Sequence, residues 1–115
     1  MRTTIYHHPR CSKSRQALEL IRAKGVEPEI ILYLDEPLSL DSLETLYVRL
    51  GLNSAWPMVR TKEPEFKEAG LDKDSRNEDL LAALAQYPKL LERPIVVTDK
   101  GARICRPPEL VEEIL

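Results

Sequence analysis

The feature of this sequence with the clearest chemical potential is a cysteine in a polar, basic turn. Cys11 lies in the segment 9–15, which reads PRCSKSR, between a short β-favouring run and a predicted helix that begins at Ser12. Unpaired N–H groups at a helix start carry partial positive charge and favour a thiolate. With cations nearby, such a cysteine has its pKa lowered to about 3.5–7.5. We therefore interpret Cys11 as a nucleophile rather than as a buried structural residue.

Two neighbouring residues are candidates for supporting this sulfur. Ser14 lies three residues after Cys11, about one helical turn on, and its hydroxyl either donates to the sulfur or belongs to an ordinary first-turn serine. His7 lies four residues before Cys11 and either steadies the loop, responds to the thiolate charge or is a plain loop residue. Two cysteines and two adjacent histidines lack the paired spacing of structural zinc sites, so we expect no bound metal.

No second thiol is available close to Cys11 in the sequence, because the segment is C-x-x-S rather than C-x-x-C. An external thiol such as glutathione is therefore the expected partner for an oxidised Cys11. The other cysteine, Cys105, falls in a predicted strand beside Arg106. Neighbouring strand residues point to opposite faces, so if Arg106 faces an anion site, Cys105 should pack inside the protein.

The elements around Cys11 predict a β-α-β unit. Residues 3–6 favour a strand, residues 12–24 favour a helix that ends at Gly25, and residues 29–34 favour a second strand. The second run is almost entirely apolar, which predicts burial on both faces, as in a parallel pair.

The remainder of the chain predicts a helical insert followed by a hairpin and a last helix. Helical patterns cover residues 39–50, 64–69 and 77–86, and strands at 94–98 and 102–106 flank a turn at residues 99–101. A final helix is predicted after Pro107-Pro108. This order predicts a thioredoxin-like α/β fold, a mixed sheet flanked by helices with an all-helical insertion, in one domain spanning residues 1–115.

Composition excludes several other classes of protein. The 115 residues are 43% apolar and 31% charged with a net charge of -2, which is unlike a dedicated nucleic-acid binder. No apolar run approaches the roughly 20 residues of a membrane helix, and the N-terminus lacks the apolar core of a secretion signal. Two cysteines do not make a disulfide framework, so we expect a reducing, cytoplasmic setting. Six basic residues against one acidic residue in positions 1–25 predict a positive field around Cys11.

The cysteine segment also resembles a known family motif. Residues 6–15, YHHPRCSKSR, resemble the Y-H-[NS]-P-x-C-x-x-S-R motif of the glutaredoxin-coupled arsenate reductases. The resemblance continues through residues 27–34, Met58-Val59-Arg60, residues 93–97 and residues 104–107, in the same order over almost the whole chain. The chain resembles a short-form member, because longer members continue well beyond the last helix.

The resemblance implies an activity and a set of site residues. In that family the cysteine attacks arsenic, and three arginines, matched here by Arg60, Arg93 and Arg106, bind the oxyanion and its adduct. Guanidinium stays charged and offers forked donors that suit tetrahedral oxyanions. Pro94 is implied to be a cis-proline that faces the nucleophile. Glutathione would reduce the adduct as a thiol co-substrate and glutaredoxin would complete the cycle, with no bound cofactor.

Two other functions remain open from the sequence. One is a monothiol oxidoreductase that acts on glutathione mixed disulfides through the same Cys11. The other is a redox-linked transcription regulator of the same fold that binds RNA polymerase. Such regulators typically carry C-x-x-C as their switch, and this chain lacks that pair.

Overall fold

Four short strands form one mixed sheet in the computed structural model, which describes residues 2–115. They are β1 (Thr4–Tyr6), β2 (Glu29–Ile31), β3 (Ile95–Thr98) and β4 (Gly101–Ile104), in the spatial order β2-β1-β3-β4. The β1–β2 pair is parallel and the other two pairs are antiparallel. The helices are α1 (Ser12–Ala23), α2 (Leu40–Leu50), α3 (Pro64–Glu68) and α4 (Asn77–Gln86), with 3₁₀ segments at Trp56–Met58, Pro88–Leu90 and Pro108–Ile114.

The described chain divides into two compact units. The first runs to Glu36 and resumes at Arg93–Leu115, and it contains the whole sheet, α1 and the last 3₁₀ segment. The second is Pro37–Glu92 and contains only helices. The predicted thioredoxin-like mixed sheet with an all-helical insertion is therefore confirmed.

The core of the first unit lies between the sheet and α1. Ile5 on β1 and Val96 on β3 are fully buried, and they pack with Ile21 of α1 and Val111 of the last 3₁₀ segment. The apolar face of α1 follows helical spacing, because Ala17, Leu18 and Ile21 are its buried apolar residues. This packing fixes the first turn of α1 against the end of β1, where the sequence places Cys11.

The second strand differs from the sequence-based prediction. It ends at Ile31 rather than at residue 34, because the Leu32 carbonyl accepts the N–H groups of Asp35 and Glu36 in a turn. Burial on both faces was also predicted wrongly. In the described sheet β2 is the edge strand, so Ile30 and Ile31 keep partial exposure to solvent.

The hairpin predicted near the C-terminus is confirmed, but β4 covers Gly101–Ile104 rather than residues 102–106. Thr98 of β3 pairs with Gly101 of β4, which leaves Asp99 and Lys100 as the two-residue loop. Gly101 has φ +139°, a value that favours glycine at this turn. The last predicted helix is also present, and it is a 3₁₀ helix at Pro108–Ile114.

The insert forms its own helical core. Ser39 caps α2 by accepting the N–H of Ser42 at 3.1 Å, and Gly51 ends it with φ +66°. The buried residues of α2 are Leu43 and Leu46, and this helix packs against α4. No helix within residues 2–115 combines the length and apolar character needed to cross a bilayer.

Truncation of a buried leucine in α2 tests this helical core. Leu46 is 2% exposed, so Leu46→Ala should lower the free energy of unfolding by about 2–5 kcal/mol through lost burial and a residual cavity. Val48 in the same helix is 73% exposed, so Val48→Ala is the matched control and should change it by less than about 0.5 kcal/mol. Denaturant unfolding measures both values, and equal losses in the two variants would contradict the packing described.

Candidate active site

Cys11 is held at the N-terminus of α1 by a tight turn. It is the N-cap residue, with extended backbone angles of φ -91° and ψ 121°. Its N–H donates to the His8 carbonyl at 3.0 Å, and its own carbonyl accepts the Arg15 N–H at 3.0 Å. The side chain is partly exposed. Cys11 is therefore fixed by the backbone on both sides while its sulfur remains accessible.

Two guanidinium groups of the first unit converge on this sulfur. Arg106 Nη1 lies 3.8 Å from Cys11 Sγ and also donates to the Arg93 carbonyl at 3.0 Å. The side chain of Arg93 also acts on this sulfur and lowers its pKa. Because Arg93 precedes β3 and Arg106 follows β4, the hairpin brings both arginines to one end of the sheet.

The electrostatic balance at Cys11 favours its thiolate. Burial is the largest single effect and by itself raises the pKa, but it is outweighed by the Ser14 N–H, the Arg93 and Arg106 side chains and the Lys13 N–H, so the net pKa is lowered. The Cys11 side chain makes no capping hydrogen bond to the helix. The amide dipoles of the first turn still favour negative charge there.

The Ser14 hydroxyl neither donates to the Cys11 sulfur nor behaves as an ordinary first-turn serine, which were the two interpretations from the sequence. The residue is fully buried, and its Oγ lies 2.6 Å from His7 Nδ1 and accepts the His8 N–H at 3.1 Å. The Ser14 hydroxyl thus joins the loop to the helix, while the Ser14 N–H favours the thiolate. Neither contact is visible from residue spacing alone.

His7 is a buried member of the same loop. Burial lowers its pKa, and so do the protonated form of His8 and the charges of Arg22 and Arg15, so its neutral form is favoured. The backbone N–H of His7 donates to the Ile31 carbonyl at 2.8 Å, and this hydrogen bond connects the loop to β2. Of the alternatives for His7, this geometry matches the loop-steadying one.

Both sulfur-directed arginines are followed by a cis-proline. The Arg93–Pro94 bond is cis, as the family resemblance implied, and the Arg106–Pro107 bond is also cis, which was not predicted from the sequence. Pro94 is fully buried, and its carbonyl accepts the Cys105 N–H at 2.8 Å.

Arg60 lies in the second unit, in a different electrostatic setting. Its Nη1 is 2.8 Å from Glu92 Oε1 and its Nε is 3.3 Å from Glu63 Oε1. Burial, the largest single effect, lowers its pKa, but the two carboxylates outweigh it and raise the pKa overall. Of the predicted residues, the first unit thus brings Cys11, Arg93 and Arg106 together. Neither glutamate was predicted from the sequence, although the R-x-x-E spacing at residues 60–63 could have indicated Glu63.

Cys105 belongs to the core, as the strand parity predicted. It is fully buried and packs with residues of β1, β3 and α1. Burial raises the pKa of its thiol to about 12; Arg103 opposes this effect and Glu113 adds to it. A thiol that is both inaccessible and protonated is a poor resolving partner for Cys11.

Loss of the Arg106 guanidinium should make Cys11 more difficult to ionise. Because a thiolate forms only above the thiol pKa, Arg106→Gln should move the pH dependence of Cys11 alkylation to higher pH and slow the reaction at pH 7 about two- to tenfold. Arg103→Gln is the matched control. It removes an equal charge from the same hairpin, but the Arg103 guanidinium pairs with Glu113. An unshifted iodoacetamide rate profile for Arg106→Gln would contradict the assignment.

The two cysteines should also differ in their reactivity towards alkylating agents. In the native protein, iodoacetamide should modify Cys11 alone, because Cys105 has no exposed surface. After denaturation both thiols should react, and peptide mass spectrometry gives the extent at each site. Labelling of native Cys105 at a rate similar to Cys11 would contradict its placement in the core.

Comparison with known proteins shows the family to which this chain belongs. The family model described as the ArsC family matches residues 6–114. The Escherichia coli K12 protein YfgD is 51% identical over 96% of this chain and 94% of its own length. An arsenate reductase of Neisseria meningitidis serogroup A is 46% identical over 96% of both chains. The solved arsenate reductase from Vibrio cholerae has a TM-score of 0.93 at 48% identity and covers 100% of this chain and 98% of that chain. From its cysteine loop to its C-terminal 3₁₀ helix, this chain belongs to the ArsC family.

Proposed function

We propose that this protein is an arsenate reductase that uses Cys11 as its nucleophile. The observation that carries the proposal is the convergence of the Arg93 and Arg106 guanidinium groups on a sulfur whose pKa is lowered. Arsenate reductases among the relatives, of nearly equal length, support the choice of substrate.

Arsenate is a tetrahedral oxyanion, and the surroundings of Cys11 are suited to such a ligand. Guanidinium groups offer charged, planar pairs of donors to neighbouring oxygens. Arg93 and Arg106 are held next to the sulfur, so they would place arsenic within reach of attack and stabilise the charge of the adduct. The same cations that favour the thiolate therefore bind its reaction partner.

The reaction proceeds by transfer of two electrons from sulfur to arsenic. The Cys11 thiolate attacks arsenic and forms an S–As bond, and one oxygen takes up protons and leaves as water. A glutathione thiolate then attacks the Cys11 sulfur, so that the S–As electron pair passes to arsenic and arsenite leaves. The resulting Cys11–glutathione disulfide is reduced by glutaredoxin and a second glutathione. In sum, arsenate and two glutathione thiols give arsenite, glutathione disulfide and water.

Glutathione and glutaredoxin are proposed as reductants because the protein supplies only one usable thiol. Cys105 is buried in the core, so the adduct on Cys11 must be resolved from outside. This chemistry needs a compartment rich in reduced thiols, which agrees with the proposed cytoplasmic location.

Arg60 is proposed as the third oxyanion ligand, on the basis of the family motif alone. Its guanidinium already pairs with Glu63 and Glu92, so its contribution would require an oxyanion oxygen to share or replace a carboxylate. Arg60→Lys should therefore weaken arsenate binding less than Arg106→Lys does, which a comparison of KM values measures.

A coupled assay with arsenate, glutathione and glutaredoxin tests the activity. Cys11→Ser should reduce turnover to background while retaining the wild-type circular dichroism spectrum, because the hydroxyl is a far weaker nucleophile than the thiolate. Cys105→Ala, the matched cysteine control, should keep kcat/KM within about twofold, since a small core truncation lowers stability before it alters the site. Full activity in Cys11→Ser would contradict the mechanism.

Substitution of Arg93 or Arg106 by lysine tests the role of the guanidinium groups in arsenate turnover. Loss of the paired guanidinium donors, in Arg93→Lys or Arg106→Lys, should lower kcat/KM for arsenate about 10- to 100-fold. Strong activity on a glutathionylated peptide with no arsenate turnover would instead select a monothiol oxidoreductase. That outcome would retain Cys11 as the nucleophile and reject the substrate.

A further inference from the structure

The Cys11 turn contains a second histidine whose side chain has a defined contact. His8 Nδ1 accepts the backbone N–H of Arg10 at 3.3 Å. Its carbonyl accepts the N–H of Cys11 at 3.0 Å, and its own N–H donates to Ser14 Oγ at 3.1 Å. One residue therefore binds both amides that follow Pro9 and also connects the turn to α1.

This arrangement is the geometry of an Asx turn made by a histidine. In such a turn, the side-chain oxygen of Asn or Asp accepts the backbone N–H two residues later. The Nδ1 atom of histidine is separated from its Cα by the same number of bonds as the Oδ1 atom of asparagine.

The ring of His8 is also held in place from its other side. It makes an edge-to-face contact with Tyr33, with ring centroids 6.5 Å apart and an interplanar angle of 79°. Tyr33 is only 1% exposed, so its ring is a fixed surface within the first unit. The contact restricts rotation of the imidazole and keeps Nδ1 directed to the turn.

From these contacts we infer that His8 is a positioning residue for Cys11, which fixes the Pro9–Arg10 turn by acting as an asparagine analogue. Cys11 follows this turn directly, and its sulfur is favoured as a thiolate only where it meets the Ser14 and Lys13 amides and the two guanidinium groups. A loosened turn would let the sulfur leave that position. The inference uses Cys11 as the reactive thiol of the proposed function, but it requires no particular substrate.

The role demands one tautomer of His8. To accept the Arg10 N–H, Nδ1 must carry no proton, so the neutral ring must hold its proton on Nε2. Nitrogen-15 NMR of the wild-type protein at neutral pH should show an unprotonated Nδ1 and a protonated Nε2 on His8. A proton on Nδ1 would overturn the inference without any mutation.

Two substitutions separate the acceptor from the ring. His8→Phe keeps an aromatic ring against Tyr33 but removes Nδ1, whereas His8→Asn restores an acceptor at the same distance along the side chain. We expect His8→Phe to raise the Cys11 pKa, measured by thiolate absorbance at 240 nm, and to slow iodoacetamide alkylation at pH 7 about three- to tenfold. In His8→Asn, the Cys11 pKa should stay close to that of the wild type, and the alkylation rate should stay within about twofold of the wild-type rate.

A purely structural role for the ring would give a different pattern. His8→Asn would then lower Tm more than His8→Phe, and the Cys11 titration would be the same in all three proteins; this result would overturn the inference. Hydrogen exchange of the Arg10 amide gives an independent reading, with protection expected in the wild type and in His8→Asn and loss of protection in His8→Phe. Failure of arsenate turnover with the expected Cys11 titrations would reject the substrate and leave the role of His8 intact.

Discussion

The first unit directs positive charge to one partly buried sulfur, that of Cys11. Burial alone raises the pKa of Cys11, and the site works against that effect with two amide dipoles of α1 and the side chains of Arg93 and Arg106. Each of these contributors depends on a different part of the fold. The amides require that α1 begin at Ser12, and the arginines require a hairpin of the right register. The core between the sheet and α1 is what keeps these separate sources of positive charge at one point.

Much of this organisation could be predicted because it depends on local patterns. Helical periodicity gave α4 its bounds, Asn77–Gln86, and the Asp99–Lys100 turn gave the β3–β4 hairpin. Alternation along a strand placed Cys105 inside, where it is fully buried. The partial exposure of Cys11 was predictable for a related reason, because a cysteine between a strand and a basic helix start is seldom a packing residue.

The remaining features depend on three-dimensional contacts that residue types do not encode. The apolar run at residues 30–34 is the same whether a strand lies in the centre of a sheet or at its edge, so the exposure of β2 was predicted wrongly. The hydroxyl of Ser14 had several possible partners, and only the folded loop shows that it meets His7 and His8. For Arg60, the motif indicated an anion ligand, while the pairing with Glu92 brings together residues 32 positions apart.

The burial of Cys105 has a consequence for how the protein tolerates oxidative damage. Many redox proteins trap a newly formed sulfenic acid as an internal disulfide, which protects it from further oxidation. The two cysteines of this chain do not offer that protection, because one of them is enclosed by apolar side chains. A peroxide-oxidised Cys11 therefore depends on the supply of small thiols to return to its reduced form. When that supply fails, further oxidation of Cys11 leads to sulfinic acid, which small thiols do not reduce.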